Sequence, residues 1–201
     1  MSGSEDKTVR LWDVASASTL GRFVGHSGSV TSVVFCPGGR EAASASKDHS
    51  IRLWDLSIAD SFWSRLMWRL EGGGEIRTLT GHAGEVNALA SLPDGRILSG
   101  SNDGTMRLWN KATGEVVATM MSSSDGSWLM ITPEGFFSAS SPEKAQNFFL
   151  IVREFDVCPV ELASATLHRP DLVREKLAGD PHDYVRAAAA KLDLNTVCFS
   201  H

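Results

Sequence analysis

The sequence is poor in the residues on which several common chemistries depend. It has three cysteines, Cys36, Cys158 and Cys198. They are odd in number and widely spaced, which argues against a disulfide framework and against a cysteine zinc site. Three free thiols fit a reducing, cytoplasmic setting. No apolar run approaches the roughly 20 residues of a membrane span. The first residues lack the apolar core of a signal peptide, so no membrane association or secretion is expected. Lys and Arg number 19 against 24 Asp and Glu, for a net charge of −5, and nowhere do they cluster. Phosphate binding draws on a basic face, so nucleic acid is not an expected partner. His49, His168, His182 and His201 have no second ligand at a recognised spacing, and neither metal nor cofactor is implied. Gly72-Gly73-Gly74 lacks the Lys-Ser/Thr of a phosphate loop and reads as linker. No Gln-Ala-Cys-x-Gly is present, nor any Cys in a Gly-rich context. Cys36, before Pro37, reads as packing.

What the sequence does have is a repeat. At 201 residues, 42% hydrophobic and 21% charged, the chain is long and apolar enough to bury a core. From Gly25-His26 it runs through a β-branched stretch (Val30 to Phe35), a Pro-Gly-Gly turn and a small-residue run (Ala42 to Ser46). A turn at Lys47-Asp48-His49 leads to Ile51-Arg52-Leu53-Trp54-Asp55. The order returns at Gly81-His82, Val86 to Leu89, Pro93-Asp94-Gly95, Leu98 to Ser101, Asn102-Asp103-Gly104 and Met106-Arg107-Leu108-Trp109-Asn110. His26 to Trp54 is 28 residues and His82 to Trp109 is 27. A partial copy opens the chain, Ser2 to Asp13, with Asp6 and Trp12 at the matching places. Trp12 to Trp54 is 42 residues, inside the period of a four-stranded propeller blade.

These motifs resemble the WD-repeat β-propeller family. The resemblance implies a mainly β fold: a partial, open propeller of about 3–4 blades over 1–155 with an α-helical tail over 156–201. It also implies that each repeat supplies the outer strand of one blade and the inner three of the next. Met1 stands where a Gly-His and inner strand would precede Ser2, so the chain is expected to be a fragment or to have a late-called start.

An insertion at 56–74 breaks the period. Phe62 with Leu66, and Trp63 with Met67 and Leu70, fall at helical spacing, and the three glycines suit a helix end. Trp63 and Trp68 are candidate partner contacts, since buried aromatics dominate interface hot spots; the alternative is that this helix folds back on the propeller rim. Residues 115–152 read as a decayed repeat. Val116 to Met121 fits an outer strand and Trp128 to Thr132 an inner one; Phe136 to Ser140 returns, and Asn147 to Val152 suits the next strand. Beyond Phe155 the spacing is helical. Pro170 opens one helix that Gly179 closes, and a further helix starts at Asp180 to Asp183 with Tyr184, Ala188 and Leu192 on one face. Trp128, Thr132 to Phe137 and Arg169 to Val173 are similar to the segment after the propeller in bacterial WD-repeat proteins fused to caspase-like peptidases. That similarity implies an alternative role, the regulatory part of a peptidase whose catalytic domain lies outside this chain.

Two sets invite a catalytic reading: His26, Ser44, Asp48 with Trp54, and His82, Ser99, Asp103 with Trp109. Their repetition argues against it, because an enzyme needs one nucleophile rather than one per repeat. In WD-repeat proteins the matching residues form structural hydrogen-bond tetrads, and Asp6 with Trp12 would be part of a third. The physical reason is that a buried indole N–H and imidazole must find partners. The spacing leaves open whether Ser44 or Ser46, and Ser99 or Ser101, belongs to the set, since both lie on one strand face. The expected function is a non-enzymatic scaffold for protein–protein interaction.

Overall fold

The computed structural model describes residues 1–57, 74–141, 143, 145, 148, 151–153, 156–158 and 160–192. The expected helix of the insertion, with Trp63 and Trp68, lies outside them. The chain divides into two compact units, Met1–Glu115 and Val116–His201.

The first unit is built of antiparallel strands in sequence order. β1 (Ser2–Gly3), β2 (Thr8–Asp13) and β3 (Ser18–Val24) form a three-stranded sheet. β4 (Val30–Phe35), β5 (Glu41–Ser46), β6 (Ile51–Asp55) and β7 (Glu75–Leu79) form a four-stranded one. β8 (Val86–Ser91), β9 (Ile97–Ser101) and β10 (Thr105–Trp109) repeat its first three strands. The registers carry the repeat down to single pairs. Ser2 faces Arg10 and Gly3 faces Val9, as Ser44 faces Arg52 and Ala45 faces Ile51. Bulges recur at Leu11/Trp12 in β2 and Leu53/Trp54 in β6; a bulge increases twist and re-aims side chains.

The small-residue run has a packing reason. Ala42 to Ser46, all of β5 after Glu41, are buried. Alternate side chains point to opposite faces, so a strand buried at every position is covered on both, and only small side chains pass between closely packed sheets. One core cluster joins Val9 and Phe23 of the first sheet to Val30, Ala42, Trp54 and Leu56. Polar contacts tie successive sheets. Val30 N–H donates to Ser4 O at 3.0 Å, Thr31 Oγ1 donates to Val86 O, and the Lys111 ammonium meets the Glu41 carboxylate. The Arg77 guanidinium donates to Ala112 O and Thr113 O, each at 3.0 Å. The insertion leaves and returns at one place, where Asp55 N–H donates to Gly74 O at 2.6 Å.

The second unit departs from the repeat. β11 (Val116–Ser122), β12 (Trp128–Ile131) and β13 (Phe137–Ala139) are all strands, as expected. However, β12 pairs directly with β11, Thr119 facing Ile131 and Ser122 facing Trp128. It continues a sheet instead of starting the inner edge of a new blade. The short turn Ser123–Ser127 explains this: with no Gly-His loop to carry the chain inward, the next strand folds back as a hairpin. Of the strand expected over Asn147 to Val152, residues 147, 149 and 150 lie outside the described residues; β14 (Ile151–Arg153) pairs with β15 (Asp156–Cys158), a strand where the tail was expected to be helical already, because the two short segments close a hairpin. On the side of β13 away from β12 the segment before the second helix is laid down. Phe137 bridges His168 in parallel, and Arg169 N–H donates to Phe137 O at 3.0 Å.

Among the described residues three helices follow: α1 (Val160–Leu167), α2 (Pro170–Leu177) and α3 (Tyr184–Ala189). Pro170 opens α2, where a first-turn N–H has no intrahelical partner, and Gly179 follows its end at φ +96°. Of the expected face, Ala188 and Leu192 pack against the core, whereas Tyr184 is 59% exposed and its neighbour Val185 is buried in its place. The Asp180 carboxylate sets this phase by accepting Val185 N–H and Arg186 N–H. Leu129, Phe136, Phe137, Leu167, Leu172, Val173 and Val185 form the core of the unit.

Candidate functional site

The structure brings the two repeated sets together, and the geometry is the same in both. His26 Nδ1 lies 2.8 Å from Asp48 Oδ2 and Nε2 lies 2.8 Å from Ser44 Oγ. Trp54 Nε1–H donates to the same Ser44 Oγ at 2.8 Å. In the second set the matching separations are 2.7 Å to Asp103, 2.8 Å to Ser99, and 2.8 Å from Trp109 to Ser99. The roles follow from valence. A carboxylate only accepts, so the imidazole proton sits on Nδ1; Nε2 then accepts the serine hydroxyl, whose oxygen accepts the indole N–H. The serine is Ser44 and Ser99. Ser46 and Ser101 instead accept the backbone N–H of Asp48 and Asp103, each at 3.1 Å.

Burial governs the electrostatics. Desolvation pushes the imidazoles of His26 and His82 below their ordinary pKa, against the opposing pull of Asp48 and Asp103; both rings are therefore neutral near pH 7. Burial alone would raise the pKa of Asp48. Hydrogen bonds from Ser50 Oγ, His26 and Ser27 N–H outweigh it and hold the carboxyl well below the usual range. Asp103 is held low in the same way by Thr105, His82 and Ala83.

The chemistry such a set can perform is limited by access. Ser44 is 0% and Ser99 1% exposed, and each oxygen is shared between an indole and an imidazole. A nucleophile must reach a substrate carbonyl, and neither hydroxyl faces solvent.

Several members were not named from the sequence. Ser50 Oγ donates to Asp48 Oδ1 at 2.6 Å and Thr105 Oγ1 donates to Asp103 Oδ1 at 2.7 Å. The signal was present as Asp-x-Ser/Thr, four times over: Asp6-Lys7-Thr8, Asp48-His49-Ser50, Asp103-Gly104-Thr105 and Asp125-Gly126-Ser127. In each turn the carboxylate accepts the third residue's N–H at 2.9–3.0 Å, and the middle residue has φ between +69° and +81°. Gly28 and Gly84, two residues after each histidine, are also part of the fit. A Cβ there would stand 2.7 Å from Asp48 N and 2.8 Å from Asp103 N.

The opening copy is different. Trp12 Nε1–H donates to Ser2 Oγ at 2.9 Å, and Asp6 Oδ2 accepts from Arg10 Nη2 at 2.9 Å. The Thr8 hydroxyl is the main reason the Asp6 pKa falls to about 2. No imidazole lies between Ser2 and Asp6 among the described residues, and Trp12 is 38% exposed where Trp54 and Trp109 are 1%.

Among the described residues no group of three or more His, Cys, Asp and Glu is arranged to hold a metal, and no helix is long and apolar enough to cross a membrane.

A family model described as WD domain, G-beta repeat matches residues 1–13, 17–55 and 73–110. Protein tipD of Dictyostelium discoideum is 32% identical over 118 residues, 59% of this chain and 17% of that protein. Nuclear distribution protein PAC1 of Arthroderma otae is 35% identical over 109 residues, 53% of this chain and 22% of that one. Mitochondrial division protein 1 of Malassezia globosa is 37% identical over 144 residues, 66% of this chain and 20% of that protein. The chain thus spans about a fifth of the length of these relatives. With its 42-residue period and recurring blade registers, the chain carries WD repeats over residues 1–13, 17–55 and 73–110.

Proposed function

We propose that the chain is a non-enzymatic WD-repeat scaffold for protein–protein interaction, acting in the cytoplasm as part of a longer protein. One observation carries this reading: the only His-Ser-Asp sets among the described residues are duplicated and buried. In this role His26, Ser44, Asp48 and Trp54, and His82, Ser99, Asp103 and Trp109, are structural tetrads. They also fix loops. Ser27 N–H and Ala83 N–H donate to the tetrad carboxylates at 2.8 and 3.0 Å. Lys47 N–H donates to Ser29 O, and Asn102 N–H to Glu85 O, each at 2.9 Å. Loops held this way are a pre-organised surface that loses little entropy on binding. Ser27, Lys47, His49, Ala83, Asn102 and Gly104 are exposed residues of that surface. The relatives' names, nuclear distribution protein and mitochondrial division protein, describe cellular processes rather than reactions. The peptidase alternative has no such observation behind it.

The test is hydrolysis by the purified chain, assayed on a casein digest and on p-nitrophenyl acetate beside S44A and S99A. No rate above buffer is expected from any of the three. Reproducible hydrolysis that S44A or S99A abolishes contradicts the proposal.

A further inference from the structure

Three strands of the first unit carry an arginine two residues before their tryptophan: Arg10 in β2, Arg52 in β6 and Arg107 in β10. In all three the Nε is buried without a hydrogen-bond partner, which leaves the terminal nitrogens to meet an anion. Two of the arginines meet one. Arg10 Nη2 lies 2.9 Å from Asp6 Oδ2, and Arg52 Nη1 donates to Glu75 Oε2. The Glu75 carboxylate rests on a glycine: a Cβ at Gly25 would stand 2.6 Å from Arg52 Nη1 and 3.1 Å from Glu75 Oε2. The third set keeps the glycine and the cation and loses the acid. A Cβ at Gly81 would stand 2.8 Å from Arg107 Nη1 and 3.3 Å from the Trp109 ring, with no carboxylate atom nearer than 3.9 Å. Among the described residues the half-buried Arg107 guanidinium makes no hydrogen bond and no ion pair. Its charge is felt at His82. Burial first, and Arg107 after it, push that imidazole down against Asp103; at His26, where burial also leads, Glu75 opposes Arg52.

The same junction holds a second cation. Arg77, exposed on β7, reaches from the second sheet to the third and donates to Ala112 O and Thr113 O. Those carbonyls carry no net charge, and among the described residues no carboxylate pairs with Arg77. Arg107 reaches the other way, from the third sheet to Gly81. Arg77 and Gly81 are four residues apart, about 13 Å along an extended chain. We propose that the junction of the second and third sheets, bounded by Arg77 and Arg107, binds an extended acidic segment of a partner protein with two carboxylates four residues apart. One carboxylate would sit on Gly81 and accept from Arg107 as Glu75 sits on Gly25. The other would meet Arg77, which has five N–H donors and spends two on the carbonyls. Charge-assisted bonds of this kind are the strong ones, and both guanidiniums stay charged at any physiological pH. Gly81 also leads into the loop that Asp103 holds at Ala83 N–H, so the segment would run into the loop surface of the scaffold.

The proposal rests on the scaffold reading but fails separately from it, since its readout is binding and not hydrolysis. The probe is a five-residue peptide with glutamate at both ends and Gly-Ser-Gly between, titrated into the full chain at low salt and followed by NMR. The Gly81 amide should shift to saturation while the Gly25 amide stays still. A peptide with glutamine at both ends should bind about five- to ten-fold more weakly, the difference between a charged and a neutral hydrogen bond. R107Q should abolish the Gly81 response, and R77Q should lower affinity to that of a peptide with a single glutamate. E75V puts Arg52 in the condition of Arg107 and should add a response at Gly25, which decides the matter even if R107Q does not fold. Equal binding of the two peptides, a Gly81 response that survives R107Q, or no Gly25 response in E75V overturns the proposal. So does acetate that binds as well as the peptide at equal carboxylate concentration, which would mean a small-anion site only.

Discussion

At the scale of the residue, Ser44 and Ser99 concentrate the stability of their blades. Each hydroxyl is the single partner joining a buried imidazole to a buried indole. Replacing one with alanine strands two polar groups at about 1–3 kcal/mol each, so S44A is expected to lose about 2–6 kcal/mol in chemical denaturation. H26A and D48A should be non-additive, because the first removal already breaks the bond that the second would break. D6A, which acts on a solvent-exposed carboxylate, should change stability far less than D48A. The tetrads also set a pH dependence. Folding lowers the pKa of both His26 and His82 from 6.5 and of both aspartates from 3.8. The unfolded chain therefore binds more protons, and stability rises with pH. The histidine contribution is complete above about pH 6.5 and is lost as the pH falls through the folded value. The carboxylate contribution goes later, below about pH 4. Melting temperature should be flat from pH 7 to 8 and drop on acidification from pH 6.5. H26A and H82A should flatten the first part of that drop.

At the scale of the element, the turn Asp-x-Ser/Thr is the repeated unit of geometry. Lys7 and His49 occupy its left-handed middle position, at φ +69°, where Gly104 and Gly126 sit at +81°. A side chain with Cβ is strained there, so H49G should raise stability, by about 0.5–1 kcal/mol after the extra unfolded-state entropy of glycine. G28A should do the reverse, since its Cβ would press on Asp48 N; a thermal melt of the two variants gives opposite signs if the turn is read correctly. Strand order and the two tetrads were legible in the sequence because they recur: spacing that repeats is hard to produce except by repeated structure. What was not legible had no repeat to lean on. The choice between Ser44 and Ser46 depends on which hydroxyl the histidine reaches, and two residues on one strand face look alike in sequence. Pairing of β12 with β11 depends on a loop too short to carry the chain inward. That Val185 rather than Tyr184 is buried at the start of α3 depends on Asp180 reaching past Asp183 to accept from Val185 and Arg186.

At the scale of the whole molecule, the two units differ in how they treat their edges. In the second, Arg169 N–H and the bridge to His168 cover the edge of β13 at Phe137. In the first, β1 ends a three-stranded sheet beside sheets that have an inner strand. An uncovered edge is a template for another chain, so size-exclusion chromatography with light scattering should find species larger than the 21.7 kDa monomer; a compact monomer with one cooperative melt would contradict this. The central claim is that the repeated His-Ser-Asp-Trp sets hold blades and do not act on a substrate. Hydrogen exchange followed by mass spectrometry, comparing the parent chain with S44A, tests it most directly, because a packing role is local to one blade while neighbours in a repeat array feel it less. Protection should fall over residues 30–55 and hold over 86–109, and S99A should show the mirror pattern. Unchanged protection across both stretches in both variants would contradict it.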